Sequence, residues 1–173
     1  PCRDILSEQE PCNGKNTTDF ISNLLEIENP DLVISTGDNI DWGADNAKVS
    51  LNEVFQPIID AKIPYAIILG NHDQQSSMDR KEVMEFITQM NYSISRMNPV
   101  DTEFKDIYGF GNYEITIGKN DYSPDFILYF LDSNADSNLE NVKGYDWIHT
   151  NQIEYLKSTC SKYYGQDGLL FWH

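Results

Sequence analysis

Apolar and polar positions along this chain alternate between two periods, and each change of period marks an element. In "TTDFISNLLEIENP" the spacing puts Phe20, Ile21, Leu24 and Leu25 on one helical face, with Thr17 or Thr18 as N-cap and Pro30 as the stop. "DLVISTGD" then reads as a strand. "DNAKVSLNEVFQPIIDAKIP" returns to the helical period through Val49, Val54, Ile58 and Ile59, with Pro57 at a kink or break. The run "YAIILG" is apolar on both faces, as a fully buried parallel strand is. "MDRKEVMEFITQMN" is amphipathic again, with Asp79 and Glu82 at capping-box spacing and Val83, Phe86, Ile87 and Met90 facing in.

The second half changes style. "GNYEITI" alternates like a half-buried strand, and "DFILYFLDS" is a continuous apolar run ending at Asp132. A loop rich in Asn, Asp and Ser leads to the helix "HTNQIEYLKSTC", and "GLLFWH" closes as a strand. Strand, helix, strand order predicts right-handed βαβ units followed by a sheet of mixed pairing, within one α/β domain. There is no internal repeat or low-complexity tract.

At 173 residues the chain is long enough for one sizeable core, and 40% apolar content argues against disorder. The formal charge of -16, with no basic cluster, argues against nucleic acid and anionic membrane surfaces as partners. No apolar run has the length of a membrane span. Cys2 and Cys12 are close enough in sequence to be joined through a short loop. Such a bond would contribute roughly 3 kcal/mol in the chain-entropy model. Cys160 is then either a free buried thiol or paired outside the chain. "NTT" from Asn16 and "NYS" from Asn91 match the glycan acceptor pattern. With the possible disulfide they direct the expectation to the secretory pathway, extracellular or vacuolar/lysosomal.

The chemistry collects at strand ends. Four predicted strands end on potential metal ligands or their supports: Asp38, Asn71 with His72, Asp132, and His173. In α/β sheets ligands bind beyond the carboxyl ends of strands. Oxygen and imidazole donors without thiolate suit Mn, Fe, Zn or Mg. Gly37 and Gly70 precede the polar residues, as a tight turn or close backbone approach requires. Taken singly, "GD" is ordinary turn chemistry, Asp132 reads as a cap or loop residue, and a lone His173 reads as solvated. "GNHD" is different, because Asn and His gain nothing in packing at the end of an apolar strand. His149, at a helix start, reads as solvated, and Trp42, Trp147 and Trp172 read as packing residues.

"GDN" at 37–39, "GNHD" at 70–73 and "FWH" at 171–173 resemble three successive motifs of the calcineurin-like metallophosphoesterases. The resemblance is to the purple acid phosphatase-like branch, some of whose members are described as inactive. "CRDIL", "NTTDFI", "PDLVISTGDNI", "NYSISRMNP", "GFGNYEI" and "GYDWI" extend it over nearly the whole chain. The resemblance implies part of a four-layer αββα sandwich with mixed sheets. It also implies a dinuclear centre of two divalent or trivalent ions, Fe, Mn or Zn. Asp38 would bridge both metals, and Asn71 and His173 would ligate the second. His72 would face the substrate phosphate and stabilise charge or protonate the leaving oxygen, and Asp73 would orient His72. The family's Asp-x-His or Asp-x-Gly motif has no match upstream of Asp38, and its Gly-His-x-His motif would lie beyond His173. Residues 1–173 are therefore expected to form a single metallophosphoesterase domain, incomplete at both ends and by itself nearly inactive. Asp41 stands where the tyrosinate of the coloured enzymes would fall, so no iron–tyrosinate colour is expected.

Two metals roughly 4 Å apart lower the pKa of a bridging water and clamp phosphoryl oxygens during in-line attack. The implied function is hydrolysis of a small phosphorylated substrate, acid phosphatase-like, by a metal-bridging hydroxide without a covalent phosphoenzyme. Three rivals stand beside it. They are a phosphodiesterase acting on nucleotides or phospholipid head groups, a catalytically silent member acting as a binding module, and an α/β domain whose "GNHD" is only a turn.

Overall fold

Both long apolar runs become buried strands, and the polar residues after them fall into loops at one edge. The computed structural model describes residues 14–100, 104, 106–118 and 123–173. In order these form α1 (Gly14–Glu28), β1 (Val33–Thr36), α2 (Ala47–Asp60), β2 (Tyr65–Ile68), α3 (Arg80–Thr88), β3 (Tyr113–Ile117), β4 (Phe126–Phe130), α4 (Thr150–Lys162) and β5 (Asp167–Phe171). Strands β1 and β2 pair in parallel. In the second sheet β4 lies between β3, antiparallel to it, and β5, parallel to it.

The burial of β2 follows from its position. β1 flanks it on one side, and residues 92–95 on the other, where Tyr65 N–H donates to the Tyr92 carbonyl at 3.0 Å and Ile94 N–H to the Tyr65 carbonyl at 2.8 Å. No edge is left open, and every residue from Tyr65 to Ile68 is buried. In β4, Leu128 and Phe130 enter a core shared with β2, α2 and α3. The alternate residues Ile127 and Tyr129 pack with Tyr163 and Leu156 at α4. A strand covered on both faces must be apolar throughout, which accounts for "FILYF". β3 has only one face in the core: Tyr113 and Ile115 point inward, while Glu114 turns out to accept from the Tyr155 hydroxyl at 2.6 Å. The layers therefore run helix, sheet, sheet, helix. The Tyr113 hydroxyl, donating to the Ile67 carbonyl at 2.6 Å, ties one sheet to the other.

Several helix details differ from the sequence expectation. α1 begins at Gly14, so Thr17 and Thr18 lie inside it rather than capping it. Ile21 and Leu25 meet the core, whereas Phe20 and Leu24 are exposed. In α2 the buried face is Ala47, Leu51, Phe55 and Ile58, and Val49 is exposed. The helix continues through Pro57 without a break. Proline removes one hydrogen bond there, and Phe55 and Ile58, buried on either side, hold the turn in place. In α3 the capping box between Asp79 and Glu82 is present as expected.

The aromatic and cysteine expectations are corrected too. His149 is half-buried, stacked on Tyr108 with ring centroids 3.8 Å apart and bonded to Asp146 at 3.0 Å, so it is not simply solvated. Trp42 and Trp172 are exposed, whereas Trp147, though partly exposed, packs as expected, stacked on His149 with ring centroids 5.3 Å apart. Cys160 is an exposed free thiol. Cys2 and Cys12 lie outside the described residues.

Phe130 is fully buried and stacks on both Tyr113 and Phe171. Its replacement by alanine should cost about 3–5 kcal/mol, read as a shift in the urea unfolding midpoint. Val49→Ala, on an exposed face, should stay within about 0.5 kcal/mol of the parent.

Candidate metal centre

Parallel pairing with Thr36 opposite Ile68 makes β1 and β2 end level. The turns that follow press against each other. A Cβ on Gly70 would overlap the backbone nitrogen and carboxylate of Asp38, and one on Gly37 would lie 2.7 Å from the Gly70 Cα. Gly37 has φ +99°, and Asp38 itself has φ +51°, a left-handed conformation that a non-glycine residue holds only against strain. The Asp38 carboxylate compensates by accepting the His72 backbone N–H at 3.0 Å.

β5 runs parallel to β4 and delivers His173 two residues past its end. The ring Nδ1 is 2.8 Å from the Thr36 carbonyl, which only accepts, so Nδ1 carries a hydrogen. Its other nitrogen, Nε2, stands 3.1 Å from Asn71 Oδ1 and 3.4 Å from Asp38 Oδ2. Three lone-pair donors, His173 Nε2, Asn71 Oδ1 and Asp38 Oδ2, thus face one point, the arrangement a shared cation would use. Donors that share one cation at about 2.1 Å stand about 3.0–3.4 Å from one another, which these spacings match. The donor set fits one cation. Among the described residues no three His, Cys, Asp or Glu side chains gather for a metal, since Asn supplies the third donor here.

His72 sits beside this cluster. Its Nδ1 pairs with Gln75 Oε1 at 2.7 Å, which fixes the ring and leaves Nε2 for another partner. The sequence assigns that orienting task to Asp73, and the structure corrects it. Asp73 is fully buried, and its carboxylate accepts the backbone N–H of Gly70 at 2.7 Å and of Ile40 at 3.0 Å, and the Asn39 amide at 3.2 Å. It fastens the two turns to each other, not the imidazole. Burial pushes its carboxyl above the usual carboxylate range, while those N–H donors and the Arg80 charge pull it back. Nearby, Asp41 is buried and accepts the Gly43 N–H at 2.8 Å.

Asp132 ends β4 as expected but does not join the three donors. It is fully buried and forms an ion pair with Arg80, whose Nε lies 3.0 Å from Oδ2. The sequence reading missed Arg80 as a member of the site, and one signal for it was present. Arg80 opens α3, where the helix dipole mildly disfavours a cation, and that placement is the one local hint that its side chain is engaged elsewhere.

The chain belongs to the calcineurin-like phosphoesterase family, whose model matches residues 12–172. It is 42% identical over 169 residues to "Probable inactive purple acid phosphatase 29" of Arabidopsis thaliana, covering 93% of this chain and 43% of that protein. "Probable inactive purple acid phosphatase 28" of the same plant is 38% identical, covering 95% of this chain and 45% of its own length. "Phosphatase DCR2" of Saccharomyces cerevisiae is 35% identical, covering 90% of this chain and 28% of its own. The chain thus spans less than half the length of these curated relatives. No solved structure matches it. Calcineurin-like phosphoesterases generally use a dinuclear metal centre.

Because a Cβ on Gly70 has no room against Asp38, Gly70→Ala should lower zinc affinity at least tenfold by calorimetry. Asp73→Ala strands three buried donors and should destabilise the protein by about 2–5 kcal/mol in chemical denaturation. Asp73→Asn, which keeps one acceptor oxygen, should cost less.

Proposed function

We propose that the full-length protein hydrolyses phosphate monoesters at a dinuclear metal centre. The carrying observation is the convergence of Asp38, Asn71 and His173 acceptors on one point beside His72. When bound, such a centre supplies Lewis-acid charge for the phosphoryl oxygens and an activated water. Asp38, Asn71 and His173 would hold one ion, with Asp38 also shared by the other. Fe, Mn and Zn all accept this oxygen and imidazole set.

The remaining work falls to the chain's own side chains. Thr36, accepting from His173 Nδ1, keeps the imidazole in the tautomer that presents Nε2. Gln75 Oε1 accepts from His72 Nδ1 and turns Nε2 towards the substrate, where the imidazolium form would pass its Nε2 proton to the leaving oxygen and be left as the neutral Nδ1–H ring. Arg80 is not a phosphate clamp, since its guanidinium donors are already engaged by Asp132, Leu69, Gly70 and Gln74. Charge on the phosphate is therefore met at the metal centre and His72. The acidic surface of the chain favours a small substrate over nucleic acid or an anionic membrane.

A second reading is favoured by one finding: the plant relatives are named as probably without activity. In that case the fold keeps its metal and binds phosphorylated ligands without turnover. Assay with p-nitrophenyl phosphate and its bis-ester decides among these. The proposal expects turnover of the monoester, with His72→Ala lowering kcat by about 10²–10⁴ at unchanged metal content. Asp38→Ala should lose metal by elemental analysis. A metal-replete protein that turns over neither ester overturns the proposal in favour of the silent reading, and faster turnover of the bis-ester makes it a phosphodiesterase.

The secretory route is proposed on the two acceptor sequons. Asn16 and Asn91 are both exposed. Among the described residues no helix is long and apolar enough to cross a membrane. Protein made in its own cells should shift in mass on enzymatic deglycosylation, and the Asn16→Gln/Asn91→Gln variant should shift by less.

A further inference from the structure

We infer that Arg80 is a positioning residue for the metal ligand Asn71, with Asp132 as its counter-charge and Gln74 as its extension. The inference rests on Asn71 being a ligand, as proposed above. The Arg80 guanidinium has five N–H donors in a planar fork, and each has a partner. Nε donates to Asp132, and one Nη2 hydrogen goes to the same carboxylate. The other Nη2 hydrogen goes to the Leu69 carbonyl at 3.3 Å. Nη1 donates to the Gly70 carbonyl at 2.6 Å and to Gln74 Oε1 at 2.7 Å. Gln74 then donates its Nε2 hydrogen to the Asn71 carbonyl at 2.7 Å.

Arg80 therefore governs three consecutive carbonyls, those of Leu69 and Gly70 directly and that of Asn71 through Gln74. A held carbonyl fixes the plane of its peptide group. The planes on both sides of the Asn71 Cα are thus set, and with them the direction in which the Asn71 amide leaves the chain. That amide faces His173 Nε2. Asp132 is itself anchored, accepting the backbone N–H of Phe110 at 2.7 Å and of Asn134 at 2.9 Å. Its own N–H donates to Asn112 at 3.1 Å, and Gln152 donates to its carbonyl at 2.6 Å. The end of β4 thereby sets the loop after β2.

Lysine cannot substitute. Its ammonium has three donors at one point and cannot span a carboxylate, two carbonyls and an amide. A buried pair that loses one partner destabilises the protein, but replacing both with apolar residues of similar volume often restores stability. This separates positioning from mere structural support. In the full-length protein, zinc titrated calorimetrically into the metal-free form provides a readout independent of turnover.

Arg80→Met/Asp132→Leu should unfold near the parental temperature yet bind zinc about 10–100-fold more weakly, the usual cost of losing a ligand's support. Gln74→Leu, which removes both the acceptor for Arg80 Nη1 and the donor to the Asn71 carbonyl but leaves the Arg80–Asp132 pair in place, should weaken zinc several-fold with a melting temperature near the parental one. It decides the matter if the double variant fails to fold. Parental zinc affinity in a folded double variant, or in Gln74→Leu if the double variant does not fold, overturns the inference. Asn71→Ala is the control: if it too binds zinc like the parent, the metal assignment of Asn71 has failed, and the inference with it.

Discussion

Close approach of two backbones at Gly37 and Gly70 is the constraint on which the site depends. Parallel strands of equal length deliver both turns to one level, and only hydrogen at these two α-carbons lets them touch. The contact forces Asp38 into a left-handed conformation and points its carboxylate across to the neighbouring turn. Asp73 then locks the pair from beneath through Gly70, Ile40 and Asn39. Asp38 and His173 are exposed and Asn71 half-buried, while the Asp73 fastening beneath them is fully buried.

Much of this was legible in the sequence, and the reasons differ by element. "YAIILG" and "FILYFL" have no polar residue to turn outward, so a strand covered on both faces is the arrangement that suits them. Asp79 with Glu82 is a local signal, and local signals survive folding. The helical stripes were read less well. Phe20 and Val49 fit the helical period, but which side of a helix is covered depends on neighbours that periodicity does not name.

At the site the sequence identified the residues that converge but not always their tasks. Strand-end position marks Asp38, Asn71, Asp132 and His173 alike, and it is the resemblance of "GDN", "GNHD" and "FWH" to family motifs that separates Asp38, Asn71 and His173 from Asp132. The role of Asp73 was misread because adjacency in "GNHD" suggests contact, while successive residues in a tight turn point in different directions. Gln75, three residues on, faces the His72 ring instead. Arg80 was hidden because its partner, Asp132, is 52 residues away. Nothing in a single sequence links two such positions except the oddity of a cation at a helix start.

His173 meets Thr36 across 137 residues and Asn71 across 102. Contacts so distant along the chain close late in folding, since the entropy of large loops must be overcome before they form. No segment of the protein can assemble the trio by itself. The cluster therefore exists only where both sheets are in place, and its geometry reports on the completed fold rather than on any one element.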